Sequence, residues 1–146
     1  MSETPMVDPT AIHHVRLTVT DIHRSKAFYQ QLLGAETAFD FSDRVDEPGV
    51  TEDPSLLYGG AGFEIGEQLL GLRPVAATGD RFDSTRVGLD HLSLWVASED
   101  ELHAAARRLD DAGIEHGEVT HLEETGMVIL SIQDPDDINI ELVHLP

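Results

Sequence analysis

His14-Val15-Arg16-Leu17-Thr18-Val19 and His91-Leu92-Ser93-Leu94-Trp95-Val96 are two versions of one short string. Each opens on a histidine, alternates apolar with polar residues, and leads into a helical stretch that stops at a glycine, Gly34 or Gly113. A pattern that occurs twice predicts two copies of one structural unit. It also sets two imidazoles at equivalent points of equivalent strands. A pseudo-twofold axis can then bring them together around a metal ion. Glu141, near the end of the second copy, supplies a third candidate ligand.

Working outward, the two-residue period over Ala11–Thr20 predicts a half-buried strand, with Leu17 and Val19 on one face and His14, Arg16 and Thr18 on the other. Asp21 and Ser25 are helix-start residues, and Phe28, Leu32 and Tyr29, Leu33 recur at helical spacing before Gly34. Residues 36–54 read as a strand plus a mobile acidic loop. Leu56–Tyr58, Gly62–Ile65 and Gln68–Arg73 are short strand candidates separated by glycines. In the second copy Gly88–Val96 reads as a strand, and Ser98 with Glu101 as a capping box. Leu102, Ala105, Ala106 and Leu109 then form a helical stripe. Strands follow near Glu115–His121, Met127–Gln133 and Ile138–Leu145, with turns at Thr125-Gly126 and Asp134–Asp137. The expected fold is α+β: two β-α-β-β-β modules forming a cupped mixed sheet with helices on the outer face. The expected boundaries are a flexible tail over 1–10, a first module over 11–73, a linker over 74–86 and a second module over 87–146, together one structural domain.

Composition narrows the function. The chain has 146 residues and a formal net charge of −19, and Lys26 is its one lysine. That charge repels phosphates and argues against a nucleic-acid partner. No apolar run is long enough to span a membrane, and no secretory segment is evident, so the expected location is the cytoplasm. With no cysteine, any metal must be held by histidine, carboxylate or backbone oxygen. That donor set suits Fe2+, Mn2+, Ni2+, Co2+ or Zn2+ more than copper(I) or clusters, and Fe2+ is the expected ion.

Strand parity then selects the side chains of the inner face. His14 and His91 lie opposite the helix-facing residues. On the last strand Ile138, Ile140 and Leu142 take the helix side, which leaves Asn139, Glu141 and Val143 on the other. A carboxylate at Glu141 between apolar neighbours is costly unless it is paired, and a cation removes that cost. Arg16, Thr18, Arg73, Ser93, Trp95, Ser131 and Asn139 share parity with the three ligands and are expected to line a substrate pocket. Arg16 or Arg73 is suited to a substrate carboxylate or enolate oxygen, or equally to a surface ion pair. Trp95 suits stacking on a flat ligand, a core or an interface. His13 is expected on the helix side, and His144 is a poor ligand by parity. His23, His103, His116 and His121 follow no pattern.

The two His-x-x-Leu-x-Val openings, the stretch Ser25–Gly34, and Asp134-Pro135-Asp136 followed by Ile140-Glu141-Leu142 resemble the vicinal oxygen chelate superfamily. That group includes glyoxalase I, methylmalonyl-CoA epimerase, extradiol dioxygenases, fosfomycin-modifying enzymes and bleomycin resistance proteins. The resemblance spans roughly residues 11–145. It implies paired modules, one divalent metal in the cup, a homodimer, and ligand roles for His14, His91 and Glu141.

The departures from the family pattern lie around those ligands. Where glyoxalases place a fourth ligand, Glu or Gln, Gly71 stands here, and only a shifted register would bring Gln68 or Glu67 to that place. Ser131 stands where catechol dioxygenases carry a tyrosine, and Arg16 where fosfomycin transferases carry a threonine. The expected function is a metal-dependent enzyme acting on a small molecule that chelates the metal through adjacent oxygens. It would be either a dioxygenase-like oxidoreductase or a glyoxalase-like lyase or isomerase. The general base is not identifiable, and the rival is a non-catalytic antibiotic-binding resistance protein.

Overall fold

His14 opens a strand and His91 directly precedes one, since the strand expected over Gly88–Val96 shortens to Leu92–Trp95, and those strands organise two units with one topology. The computed structural model describes residues 4–146 and divides into Met1–Thr78 and Gly79–Pro146. In the first unit, β1 (His14–Thr18) leads to α1 (Ile22–Leu33), then β2 (Phe39–Asp40), β3 (Ala61–Ile65) and β4 (Gln68–Arg73). The sheet order is β1-β4-β3-β2, with β1 parallel to β4 and the other pairs antiparallel. Asp21 caps α1, its carboxylate accepting from the amides of His23 (3.0 Å) and Arg24 (3.2 Å), while left-handed Gly34 ends it. Leu17, Val19, Ile22, Tyr29, Phe63, Leu70 and Leu72 are buried and form this unit's core. The edge strand is tied to α1 through Asp40, which accepts from Lys26 Nζ (2.9 Å) and from the Ser42 amide (2.9 Å) and hydroxyl (2.6 Å). Partial burial pushes the Asp40 carboxyl up, but the bonds from Ser42 and Lys26 overcome it and hold the pKa below the ordinary 3.8.

The second unit repeats the plan with β5 (Leu92–Trp95), α2 (Glu99–Ala112), β6 (Thr120–Leu122), β7 (Met127–Gln133) and β8 (Asn139–His144). Its order is β5-β8-β7-β6, again with the first pair parallel. Leu102 and Leu109 of α2 are buried with Val128, Leu130, Ile132, Ile140 and Leu142. Ser98 caps α2 by accepting from the Glu101 amide (3.1 Å). The expected reciprocal half of the capping box is absent, because the Glu101 carboxylate bonds Arg108 instead (2.8 Å). Asp134 builds the β7–β8 turn by accepting from the Asp136 and Ile138 amides, each at 2.8 Å.

Several local expectations are corrected. Leu56–Tyr58 is not a strand: Pro54–Gly59 winds into 3-10 turns in which Leu57 (φ 46°) and Tyr58 (φ 59°) are left-handed. Gly60 explains part of this, since a Cβ there would lie 2.0 Å from the Leu72 carbonyl oxygen, so glycine lets the loop close against β4. The acidic stretch after β2 holds two further 3-10 turns, Ser42–Arg44 and Val50–Glu52. The strand expected over 115–121 shortens to β6, with an isolated bridge at His116. Ser25 is buried inside α1 and does not cap it. His13 is exposed and precedes β1, because the strand starts only at His14 and parity does not extend back to it. No helix among the described residues is long and apolar enough to cross a membrane.

Candidate functional site

The register of the second sheet gathers polar groups on the face opposite α2. Ser93 pairs with Glu141 across β5 and β8, and Ser131 pairs with Glu141 across β8 and β7, so all three share a face. The Ser93 hydroxyl donates to Glu141 Oε1 (2.6 Å), and His91 Nε2 stands 3.7 Å from the same oxygen. His91 Nδ1 is held by Asp90 Oδ1 at 2.6 Å, which leaves Nε2 directed toward Glu141. A carboxylate on the far nitrogen fixes the orientation of the ring, the usual support of a metal-bound imidazole. The Glu141 side chain retains 16 % of its surface accessible and that of His91 41 %, so an incoming ion can reach both. One step along the same face, Gln133 Nε2 donates to Asn139 Oδ1 (2.6 Å). These amides border an open cleft of about 600 Å³, also lined by Arg81, Arg86, Glu115 and Asp137.

The first sheet carries the equivalent face with different chemistry. Arg16 pairs with Gly71 as Ser93 pairs with Glu141, so Gly71 occupies in β4 the place that Glu141 occupies in β8. Gln68 and Leu69 lie in register at the start of β4, and Glu67 precedes it. Gly71 is not required by close backbone packing: a Cβ there would meet the Arg16 side chain at 3.4 Å or more. Its partner Gly62 is different, because a Cβ there would lie 2.1 Å from the Phe39 ring. His14 Nδ1 is 2.8 Å from His13 Nδ1, and with His14 as the donor its Nε2 carries the lone pair a ligand needs. Thr18 and Arg73 pair on this face, and the Arg73 guanidinium lies 3.7 Å above the centre of the Tyr58 ring.

The structure therefore brings two of the three expected ligands, His91 and Glu141, into one pair, while His14 stands in the other unit. Among the described residues no three His, Asp or Glu side chains gather closely enough to hold a metal. The donor chemistry of the pair nevertheless suits a divalent cation: an oriented imidazole beside a carboxylate, both accessible to an incoming ion. Ser93, Ser131 and Asn139 lie on the face of Glu141 as parity predicts, and Arg16, Thr18 and Arg73 on that of His14. Trp95 is 71 % exposed and so is no core residue of this chain. Sequence reasoning missed Asp90 and Tyr58. Asp90 carried a signal, since it directly precedes His91 as His13 precedes His14.

Comparison with known proteins extends this. Residues 11–142 match the model of the Glyoxalase/Bleomycin resistance protein/Dioxygenase superfamily. No curated protein matches the sequence. Among solved structures, a glyoxylase/bleomycin resistance protein/dioxygenase domain from Frankia sp. EAN1pec is 28% identical, with TM-score 0.73, covering 95% of this chain and 100% of its own. Lactoylglutathione lyase from Agrobacterium tumefaciens is 20% identical, with TM-score 0.64 and coverage of 92% and 93%. A mutant of the fosfomycin resistance protein FosX from Listeria monocytogenes, solved with Mn(II) and a dihydroxypropylphosphonic acid, is 16% identical, with TM-score 0.70 and coverage of 95% of each chain. The last two likenesses are of fold. With its repeated β-α-β-β-β plan and a family match over most of its length, the chain belongs to the Glyoxalase/Bleomycin resistance protein/Dioxygenase superfamily.

Proposed function

We propose that the chain is a divalent-metal-dependent enzyme acting on a small molecule that chelates the metal through adjacent oxygens. The observation that carries the reading is the His91–Glu141 pair, with Asp90 behind the imidazole and Ser93 on the carboxylate. His14, His91 and Glu141 are the ligands of this reading, with Fe2+ favoured and Mn2+, Ni2+, Co2+ or Zn2+ able to take the same donors. When bound, the ion supplies a Lewis acid for adjacent substrate oxygens or, as iron, a centre for oxygenation chemistry.

The chain's own residues do the rest. Asp90 and His13 accept from Nδ1 of the two histidines in this reading and leave each Nε2 free to ligate. Ser93 steadies the Glu141 carboxylate through its hydroxyl proton. Arg16, Thr18 and Arg73 on one face, and Ser93, Trp95, Ser131 and Asn139 on the other, line the pocket of this reading. Gly71 brings no donor to the place equivalent to Glu141, so three protein ligands leave positions open for a bidentate substrate and for dioxygen. That favours a dioxygenase-like oxidoreductase over a glyoxalase-like lyase or isomerase. The reading carries with it a cytoplasmic homodimer, in which the exposed Trp95 would find cover.

Metal analysis of freshly purified protein tests this. About one divalent ion per chain supports it. A protein that takes up no divalent ion with all three residues intact is instead a small-molecule sequestering protein.

A further inference from the structure

Arg16 and Arg73 are neighbours on one sheet face of this acidic chain. Of its nine basic residues, Lys26, Arg44, Arg81, Arg86 and Arg108 each face a carboxylate within 4.0 Å. Among the described residues Arg16 and Arg73, like Arg107 on α2, have no such partner, in a sequence with 28 acidic residues, and Arg16 and Arg73 share one sheet face. Both lie on the His14 face of the first sheet. Since Arg16 pairs with Gly71 and Thr18 with Arg73, the two arginines are diagonal neighbours on adjacent parallel strands. Strand spacing and rise put their Cα atoms roughly 8 Å apart, within reach of one ligand for two long side chains. Glu64 shares this face but is in register with Leu69, on the far side of Gly71 from Arg73.

Arg73 is held in a way a surface arginine does not need. Its guanidinium carbon lies over Tyr58, 3.7 Å from the ring centre, and its Nε is buried with no hydrogen-bond partner. An orphaned guanidinium N–H away from water is costly unless an acceptor arrives. The platform itself is expensive, because Leu57 and Tyr58 are consecutive non-glycine residues in the left-handed region. Such conformations persist where the surroundings over-determine them, typically at ligand clamps. Here Gly59 against Val45 and Gly60 against the Leu72 carbonyl provide that constraint. Beside it, the Arg16 side chain lies across Gly71, within 3.4–3.7 Å of where a Cβ would stand.

We propose that Arg16 and Arg73 form an oxyanion-binding site on the first sheet, which takes a carboxylate or a phospho group. The pair supplies two planar forks of donors, suited to an oxyanion's geometry. Two unpartnered cations also create the local field that an anion needs to approach a chain of this net charge. Resting on the metal-enzyme reading above, this makes the substrate an acid: chelating oxygens at the His14 end of the face, and an anionic group two to four residues further along.

The test is calorimetric titration of the full chain at constant ionic strength with two probes that lack adjacent chelating oxygens on neighbouring carbons: succinate and inorganic phosphate. Saturable binding of at least one is expected, and the probe that binds more tightly identifies the carboxylate or phospho class. Arg16→Gln and Arg73→Met should each weaken it at least tenfold. Arg73→Lys should restore only part, because the flat fork is lost, and Tyr58→Leu should weaken binding with both arginines intact. Circular dichroism confirms folding, and Arg16→Gln, at an exposed position, remains informative should Arg73→Met not fold. Glu141→Ala should leave the anion affinity unchanged even where it abolishes metal binding, which separates this site from the metal reading. Absence of saturable binding by either probe, or affinity unchanged in both arginine variants, overturns the proposal. So does binding lost in Glu141→Ala, which would assign the anion to the metal.

Discussion

His91 Nε2 stands 3.7 Å from Glu141 Oε1 across the parallel pairing of β5 and β8. Neither side chain alone distinguishes a ligand from a surface charge. Their joint orientation, with Nδ1 of the ring engaged by Asp90 at 2.6 Å, is what a metal-binding imidazole beside a carboxylate requires.

The first prediction therefore concerns Asp90. Asp90→Ala keeps every expected ligand but frees the His91 ring to rotate. Metal affinity should fall by about 10- to 100-fold, the range typical for such outer partners. Competition with a fluorescent chelator measures this; an unchanged affinity would show that Asp90 is only a surface acid.

A contrast between two paired glycines makes the second prediction. Gly62→Ala drives a methyl into the Phe39 ring and should cost about 1–3 kcal/mol, as overpacking does. Gly71→Ala meets only the flexible Arg16 side chain at ordinary contact distance and should be far milder. Gly71→Glu goes further, setting a carboxylate at the place equivalent to Glu141, and should tighten metal binding. Urea denaturation midpoints rank the alanine variants, and equal losses would contradict the account of both sites.

Much of this architecture is legible in the chain itself. Asp21, Gly34, Ser98 and Gly113 mark helix ends through local hydrogen bonding and left-handed geometry, and the structure keeps all four. The span Gln68–Arg73 is a strand as expected, since alternation and flanking turns agree. Leu56–Tyr58 misled because its apolar run fits a buried strand, while the deciding contact, Gly60 on the Leu72 carbonyl, is distant in sequence. Of the site, strand parity gives the faces of Glu141, Ser93 and Arg73. It cannot give Tyr58 under Arg73, which depends on a loop conformation, nor the bond from Asp90, which depends on a rotamer.

A third prediction is a pH dependence of stability. His116 donates from Nδ1 to the Gly117 carbonyl (2.5 Å) and pairs through Nε2 with Asp110 (2.7 Å), near the C-terminus of α2. Asp110, then the carbonyl, raise the His116 pKa above the ordinary 6.5. A raised folded-state pKa contributes stability that is full below 6.5 and is lost as pH rises through the folded value. His116→Gln should therefore lower the melting temperature at pH 5.5 more than at pH 8.5. Equal losses at both would mean the charged pair contributes nothing.

Asp40 runs with the opposite sign. Its pKa lies below 3.8, so its contribution is present above that value and is lost as pH falls through the lower folded one. Lys26→Met removes one of its supports and should destabilise at pH 7 by about 1 kcal/mol, as expected for a half-exposed ion pair with good geometry. The loss should shrink near pH 3, and chemical denaturation at both values checks it.

The most direct measurement for the metal assignment is calorimetric titration of metal-free protein with Mn2+, comparing wild type with His14→Ala, His91→Ala and Glu141→Ala. One ion bound per chain in wild type, and binding lost or strongly weakened in all three variants, is the predicted result. Wild-type affinity retained in Glu141→Ala, or in both histidine variants, would contradict it.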